Sequence, residues 1–420
     1  MPSSEAALRP PTQKHVEDYG VDRILPLQQP VGHTMYGVAF NNVDPRYSNV
    51  FACVGGEKAR VFVVDAEPES DPPKGSDGER RPERSGTVDQ RAKPLFRLVQ
   101  EYVDGRGLVH VPDGQGGERG ERGEEYYCCA WSCAANGDPL LCFGGKLAII
   151  KVVNYERREV CSALQGHGME INEIKPHPTK FGIILSTSKD QSVRVWNVQT
   201  STVVMILAGL DGHKAAVYTA DFHQREGALI ASGSEDHTTK IWDLSVHQDL
   251  VDLSFKWYGD KGPPGSFPTA YIQTPTFSTV PHDNYVDCVC WHGDLLLTKC
   301  TQGHIILWRP EHGAGGAKDG ALPLKTFKMD HLGIFFMKFS TCVSDPHQPL
   351  VALGNCVGKV LVWEVEGGGM APKEVMRMTV GTKGGGKPRG IIRQTSFSWD
   401  GRHLACVTEE GKVCLWRIKS

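Results

Sequence analysis

Histidine, serine and aspartate stand together twice in this 420-residue chain, as His167, Ser186 and Asp190 and again as His213, Ser232 and Asp236. Those side-chain types could run acyl transfer, but no nucleophile-elbow sequence accompanies either set, and the whole constellation repeats 46 residues on. Recurrence in register is the mark of a structural device. Gly381 to Lys387, GTKGGGK, copies the first seven positions of a phosphate-binding loop, yet Pro388 occupies the place of the magnesium-binding hydroxyl. It reads as a flexible loop. Cys128, Cys129 and Cys133 come nearest to a zinc pattern and lack a second Cys or His pair at finger spacing, so neither a metal nor a cofactor is expected. What remains is a binding chemistry, carried by a column of aromatic and polar residues that only the repeat reveals.

The repeat begins at Gly166-His167 and runs through Ser186 and Asp190 to Trp196-Asn197; its second copy runs from Gly212-His213 to Trp242-Asp243. Weaker copies keep six residues between a tight turn and a tryptophan at Gln302 and Trp308, Val357 and Trp363, and Glu410 and Trp416. Two earlier units, from Tyr36 and from Tyr127, carry Val or Ile where the tryptophan stands elsewhere, which makes seven. With 47 glycines and 26 prolines between short runs of Val, Ile, Leu and Trp, and no long helical period, the chain is read as all-β. A GH, then about 29 residues, then WD or WN resembles the WD40 family, which implies a seven-bladed β-propeller.

In such a blade the His, Ser, Asp and Trp can form a buried hydrogen-bonded set. The segment from Val21 to Leu27 could supply the outer strand of the last blade and close the ring. The domain reading is therefore a disordered tail over 1–17 and a propeller over 18–420. Charged, Pro- and Gly-rich inserts at about 66–94 and 104–125 are expected to be disordered, and the insert from Lys256 to Asp283, with Trp257, Tyr258 and Phe267, to be packed.

The innermost strands end in bulky anchors: Phe40, Trp131, Pro176, Phe222, Trp291, Phe339 and Phe397. Four residues before each lie Tyr36, Tyr127, Asn172, Tyr218, Asp287, Phe335 and Arg393. A strand period of two puts these seven on one side, ringing one mouth of the central channel. Aromatic faces there can hold a methylated ammonium by cation–π attraction, about 0.5–2 kcal/mol per contact. The same spacing also suits aromatics packed under loops.

Beyond the generic repeat, the segments YGVAFN (36–41), YYCCAW (126–131), GHGMEINEIKPHP (166–178), NYVDCVCWHGDLLLTK (284–299), ALGNCVGKVLVWEVE (352–366) and IRQTSFSWD (392–400) closely resemble the embryonic ectoderm development, or extra sex combs, family of Polycomb repressive complex 2. The resemblance implies a non-enzymatic nuclear reader of histone H3 trimethylated at lysine twenty-seven, which stimulates a partner methyltransferase. It places the methyl-lysine cage at Tyr36, Tyr127, Phe335 and Phe336, and peptide contacts at Asn172, Tyr285, Asp287 and Arg393. The implied partners are the trimethylated histone H3 tail, an enhancer-of-zeste-type catalytic subunit along the opposite face and a zinc-finger, suppressor-of-zeste-type subunit. Animal members carry Phe, Tyr, Trp and Tyr in the cage; the Phe at 335 is a weaker cation–π partner than Trp. The competing reading is a generic scaffold or substrate receptor that binds an unmodified peptide.

Composition narrows the classes. A net charge of -3 argues against a phosphate-backbone binder, so no sequence-specific nucleic-acid binding is expected. No apolar run approaches the roughly 18 residues of a membrane span, and the start MPSSEAALRPP has no signal pattern. Thirteen cysteines, several in strand-like apolar runs, suit buried free thiols in a reducing compartment.

Overall fold

The computed structural model describes residues 25–26, 34–65, 96–103, 123–257, 266–313, 318–342, 349–366, 373–379 and 390–418. The expected disordered tail, the 66–94 insert, nearly all of the 104–125 insert, Tyr258 and the 381–387 loop lie outside these residues.

Seven sheets, antiparallel in their first four strands, follow one another along the chain, each led by an inner strand: Gly37–Phe40, Tyr126–Cys133, Ile171–Pro176, Val217–Phe222, Val286–His292, Ser340–Cys342 and Ile392–Phe397. These are the seven blades of a β-propeller. The second strands are buried at every position in the first three blades, as in Val50–Gly55 and Ile183–Ser188, and at all but the first position in the other four. That burial follows from neighbouring blades covering both faces of each sheet, so polar residues within these strands, such as Ser186, are hydrogen-bonded inside. Closure is non-local: Leu25 and Pro26 pair with Val413 and Lys412 on the outer side of the seventh blade. Gln394 and Ser396 of that blade accept the Val38 and Phe40 amides at 3.3 and 3.0 Å, stitching it to the first.

The polar sets inside the blades are hydrogen-bond networks. Trp196 Nε1 donates to Ser186 Oγ at 2.8 Å, Ser186 Oγ meets His167 Nε2 at 2.7 Å, and His167 Nδ1 faces Asp190 at 2.8 Å. The fourth blade repeats this with Trp242, Ser232, His213 and Asp236. The fifth blade contains a related histidine that the repeat spacing did not expose: His282 Nε2 lies 2.8 Å from Thr298 Oγ1, which also accepts Trp308 Nε1 at 2.9 Å. In the first blade the tryptophan position is Phe62 rather than the expected Val or Ile, and in the second it is Val153. In both, as at Trp196, Trp308 and Trp363, the outer-strand register shifts just before that residue.

The described part of the insert before the fifth blade is packed. Phe277–Thr279 forms the outer strand of the fourth blade, Ala270–Ile272 adds a parallel fifth strand to the third, and Phe267 packs beside Trp257 at 5.3 Å. A short helix, Gln248–Ser254, buries Val251 and Ser254 under the third blade. All thirteen cysteines are free thiols.

One buried imidazole sets a pH dependence. His177 packs on Phe222 at 4.8 Å, and its Nδ1 accepts the Thr179 and Lys180 amides at 3.2 and 2.9 Å, which a protonated nitrogen could not do. Burial, then the Lys180 charge, lowers its pKa from 6.5 to about 4. Below pH 6.5 the unfolded chain takes up a proton that the native state refuses, so stability falls as the pH drops from 6.5 to 4. The expected loss is roughly 2–3 kcal/mol. Urea midpoints at pH 7 and 4.5 measure it against His177→Asn, which keeps an acceptor for both amides without a titrating group and should remove this one imidazole's share of the acid limb, leaving the shares of His167, His213 and His282, whose pKa values burial also lowers.

Candidate aromatic binding site

Inner strands present side chains to the channel mouth through bulges. The ladder register shifts across residue 127 in the second blade, 172 in the third, 218 in the fourth, 287 in the fifth and 393 in the seventh. Each of these positions belongs to the column, so the unpaired residue of each of these five inner-strand bulges is a column residue. A bulge re-aims its side chain away from the regular pleat, which is how Tyr127, Tyr218 and Arg393 come to lean over the mouth.

Three rings meet there. Tyr36 and Tyr127 lie 5.1 Å apart with planes at 79°, Tyr36 and Phe336 5.8 Å apart at 87°, and Tyr127 and Phe336 6.0 Å apart at 70°. Planes so nearly perpendicular in pairs are arranged as in the corner of a box. A cation is attracted to such rings within ~6 Å of a centroid, and Lys338 Nζ already lies 5.2 Å from that of Phe336. Phe335 stands beside this corner, 6.4 Å from Phe336 and 5.8 Å from Tyr218; it is 48% exposed, whereas Phe336 is 6% exposed. Tyr218 in turn neighbours Tyr285 at 6.3 Å, and Tyr285 neighbours His237 at 5.6 Å. The aromatic surface therefore continues from the corner across the fourth blade.

Carboxylates border the rings. Tyr127 Oη donates to Glu125 Oε2 at 3.4 Å. Burial first, then Glu125, pushes the Tyr127 hydroxyl well above the usual tyrosine range, and the same causes raise Tyr36. Tyr218 is raised by burial and then by Glu235. The phenols thus stay protonated at neutral pH, and the negative charge near them sits on glutamates, where it favours a cation.

The polar column members are placed differently from one another. Arg393 lies with its guanidinium 5.5 Å from the Tyr36 centroid, donates from Nη1 to the Phe335 carbonyl at 3.1 Å and pairs through Nη2 with Glu409 at 2.9 Å. Asn172, nearly buried, donates from Nδ2 to the Val217 carbonyl at 2.8 Å and so joins the third and fourth blades. Asp287 is 0% exposed. Its carboxylate takes the Lys299 ammonium at 2.6 and 2.8 Å and the Phe336 amide at 2.9 Å. It reaches no surface, and its geometry is that of a positioning residue. Phe336 has φ +63°, an unfavourable conformation for a non-glycine residue, and the Asp287 bond holds it there.

Sequence reasoning missed Glu125 and Lys299. Glu125 lies two residues before Tyr127, hence near it along the same strand edge; Lys299 faces the Asp287 bulge across the ladder. The channel cavity, about 210 Å³, opens at the other end of the inner strands, lined by Phe40, Trp131, Glu173, Lys175, Thr341 and Ser396, and is separate from the ring corner.

Fold and repeat define a seven-bladed WD40 propeller. The WD domain, G-beta repeat, matches residues 158–197 and 205–243. Among curated relatives, Polycomb group protein FIE1 of Oryza sativa subsp. japonica is 33% identical over 383 residues, covering 91% of this chain and 88% of its own. Polycomb protein esc of Drosophila melanogaster is 33% identical over 398 residues, covering 92% and 81%. The chain belongs to the extra sex combs, or embryonic ectoderm development, family of Polycomb group WD40 proteins. Among solved structures, a chain of the Chaetomium thermophilum polycomb repressive complex 2 superposes with a TM-score of 0.69 at 18% identity, over 92% of this chain and 94% of that one. At that identity the likeness is one of fold.

Proposed function

We propose that this protein is a non-catalytic, nuclear subunit of a Polycomb repressive histone H3 lysine methyltransferase complex that reads trimethyl-lysine and stimulates the catalytic subunit. The observation that carries the reading is the corner formed by Tyr36, Tyr127 and Phe336 beside the Glu125 carboxylate. A trimethylammonium has no N–H to donate. It is held by ring faces and nearby negative charge, and this corner supplies both. Phe335, half exposed at its edge, covers the methylene stem of the bound lysine. Tyr285 and Arg393 flank the peptide, and Asn172 and Asp287 fix the strands and the Phe335-Phe336 turn from below. Family membership supports the histone H3 tail trimethylated at lysine twenty-seven as the ligand, an enhancer-of-zeste-type subunit on the opposite face and a zinc-finger suppressor-of-zeste-type subunit beside it. A related structure of ctPRC2 was solved in complex with histone H3 trimethylated at that lysine.

Stimulation is a coupling between two sites, typically about 1–3 kcal/mol or 5- to 150-fold. Trimethylated peptide added to the reconstituted complex is expected to raise methyl transfer to nucleosomes within that range, and its unmethylated twin is not. Tight peptide binding with unchanged turnover would contradict the coupling.

A further inference from the structure

The third and fourth blades carry matching residues eight, six and four positions before the tryptophan, Ser188, Asp190 and Ser192, then Ser234, Asp236 and Thr238, and the last two of each set reach the blade's histidine. Asp190 and Ser192 lie 2.8 and 3.2 Å from His167 Nδ1, and Asp236 and Thr238 lie 3.0 and 3.1 Å from His213 Nδ1. In the fifth blade the corresponding residues before Trp308 are Cys300, Gln302 and His304. Hydroxyl, carboxylate and hydroxyl have become thiol, amide and imidazole. The histidine beside Cys300 and His304, His282, is 3% exposed, keeps its Nε2 contact to Thr298, and has no hydrogen-bond partner at Nδ1.

We propose that His282 Nδ1, the Cys300 thiolate and a ring nitrogen of His304 form a site for a divalent transition-metal ion, with zinc(II) the ion it fits best. The three ligand atoms lie within 4.8 Å of one another, and the two imidazoles are 5.4 Å apart. A two-nitrogen, one-sulfur set suits a borderline-soft ion and excludes magnesium and calcium, which take oxygen ligands. Tetrahedral zinc with bonds of about 2.0–2.3 Å needs ligand separations of roughly 3.3–3.6 Å, so ligand atoms now within 4.8 Å would draw in around the ion, and partly exposed His304 has the most room to move. On binding, the Cys300 thiol gives its proton to solvent. His282 adopts the tautomer whose Nε2–H donates to Thr298, leaving the Nδ1 pair for the ion, and this outer contact orients the ring as in established metal sites. Lys299, next to Cys300, is already neutralised by Asp287. The groove lined by Gln302, His304, Lys328, Asp330 and His331 gives an ion its way in and leaves a fourth position for water. His282 precedes Tyr285 by three residues and Cys300 adjoins the partner of Asp287, so the ion braces the polar side of the aromatic mouth. The site stands independently of the methyl-lysine reading.

The test uses the full chain, stripped with a chelator and titrated with zinc(II) against a chromogenic chelator, with cobalt(II) as the spectroscopic probe. One equivalent per chain is expected, with the visible bands of tetrahedral cobalt, a thiolate-to-cobalt charge-transfer band and a melting temperature raised by zinc. Cys300→Ser and, separately, His304→Thr restore the hydroxyls that the third and fourth blades carry and so preserve folding, checked by circular dichroism. Each should weaken zinc binding by more than the roughly 10- to 100-fold that loss of an outer-shell partner costs, and Cys300→Ser should abolish the charge-transfer band. Substoichiometric binding to the folded wild-type chain, or undiminished binding in both variants, would mean adventitious ion only and overturn the site.

Discussion

Replacing Asp287 with alanine is expected to lower the unfolding free energy by about 3–5 kcal/mol and to abolish measurable binding of a trimethyl-lysine peptide at the same time. Both effects come from one carboxylate. Asp287 and Lys299 are each 0% exposed and paired at 2.6 Å, so removing the acid leaves a buried ammonium without its counter-charge. The same carboxylate accepts the Phe336 amide, which holds Phe336 at φ +63° as the third wall of the ring corner. The two consequences separate in the double variant Asp287→Leu with Lys299→Met. Exchanging a buried ion pair for apolar groups of similar volume is often nearly neutral for stability, whereas the Phe336 anchor stays lost. Denaturant unfolding should therefore recover while calorimetric peptide binding does not. Recovery of both would show that Asp287 acts only through its charge pair and does not position the ring.

Tyr127→Ala removes a wall of the corner directly. Its ring is half-buried at the mouth and touches Tyr36 and Phe336, so the expected cost falls on the ligand: about 2 kcal/mol, or roughly thirty-fold in affinity. Tyr127→Phe keeps the face and should stay within a few-fold of wild type. Trp242→Ala is the contrasting control. That ring is 0% exposed and tied to Ser232, and its loss should destabilise by about 3–5 kcal/mol while the folded fraction binds peptide normally. Thermal destabilisation of Tyr127→Ala equal to that of Trp242→Ala would assign Tyr127 to the core and contradict the proposed cage.

The repeat was legible where its side chains do the closing. His167, Ser186, Asp190 and Trp196 announce the third blade and their copies the fourth, because each makes a hydrogen bond that tolerates few residue types. His282 escaped because it lies 26 residues before Trp308, whereas His167 lies 29 before Trp196. The first blade was blurred for another reason: its tryptophan position needs only bulk, which Phe62 supplies. At the mouth, counting back from the anchors found Tyr36 and Tyr127 but set Phe335 rather than Phe336 in the column. A positive φ at a phenylalanine has no sequence signature; it arises from Asp287, which reaches across from another blade. For the same reason the sequence grouped Asp287 with the peptide contacts, although burial and the Lys299 pair turn it inward.

The central claim is that the corner of Tyr36, Tyr127 and Phe336 recognises a trimethylated lysine, and calorimetric titration of the isolated protein tests it most directly. The ligands are a histone H3 tail peptide trimethylated at lysine twenty-seven and its unmethylated twin. The methylated peptide is expected to bind with a micromolar Kd, about 8 kcal/mol, and the unmethylated one at least tenfold more weakly. Equal affinity for the two peptides, or no binding by a folded sample, would contradict it and leave this propeller a scaffold that does not read the mark.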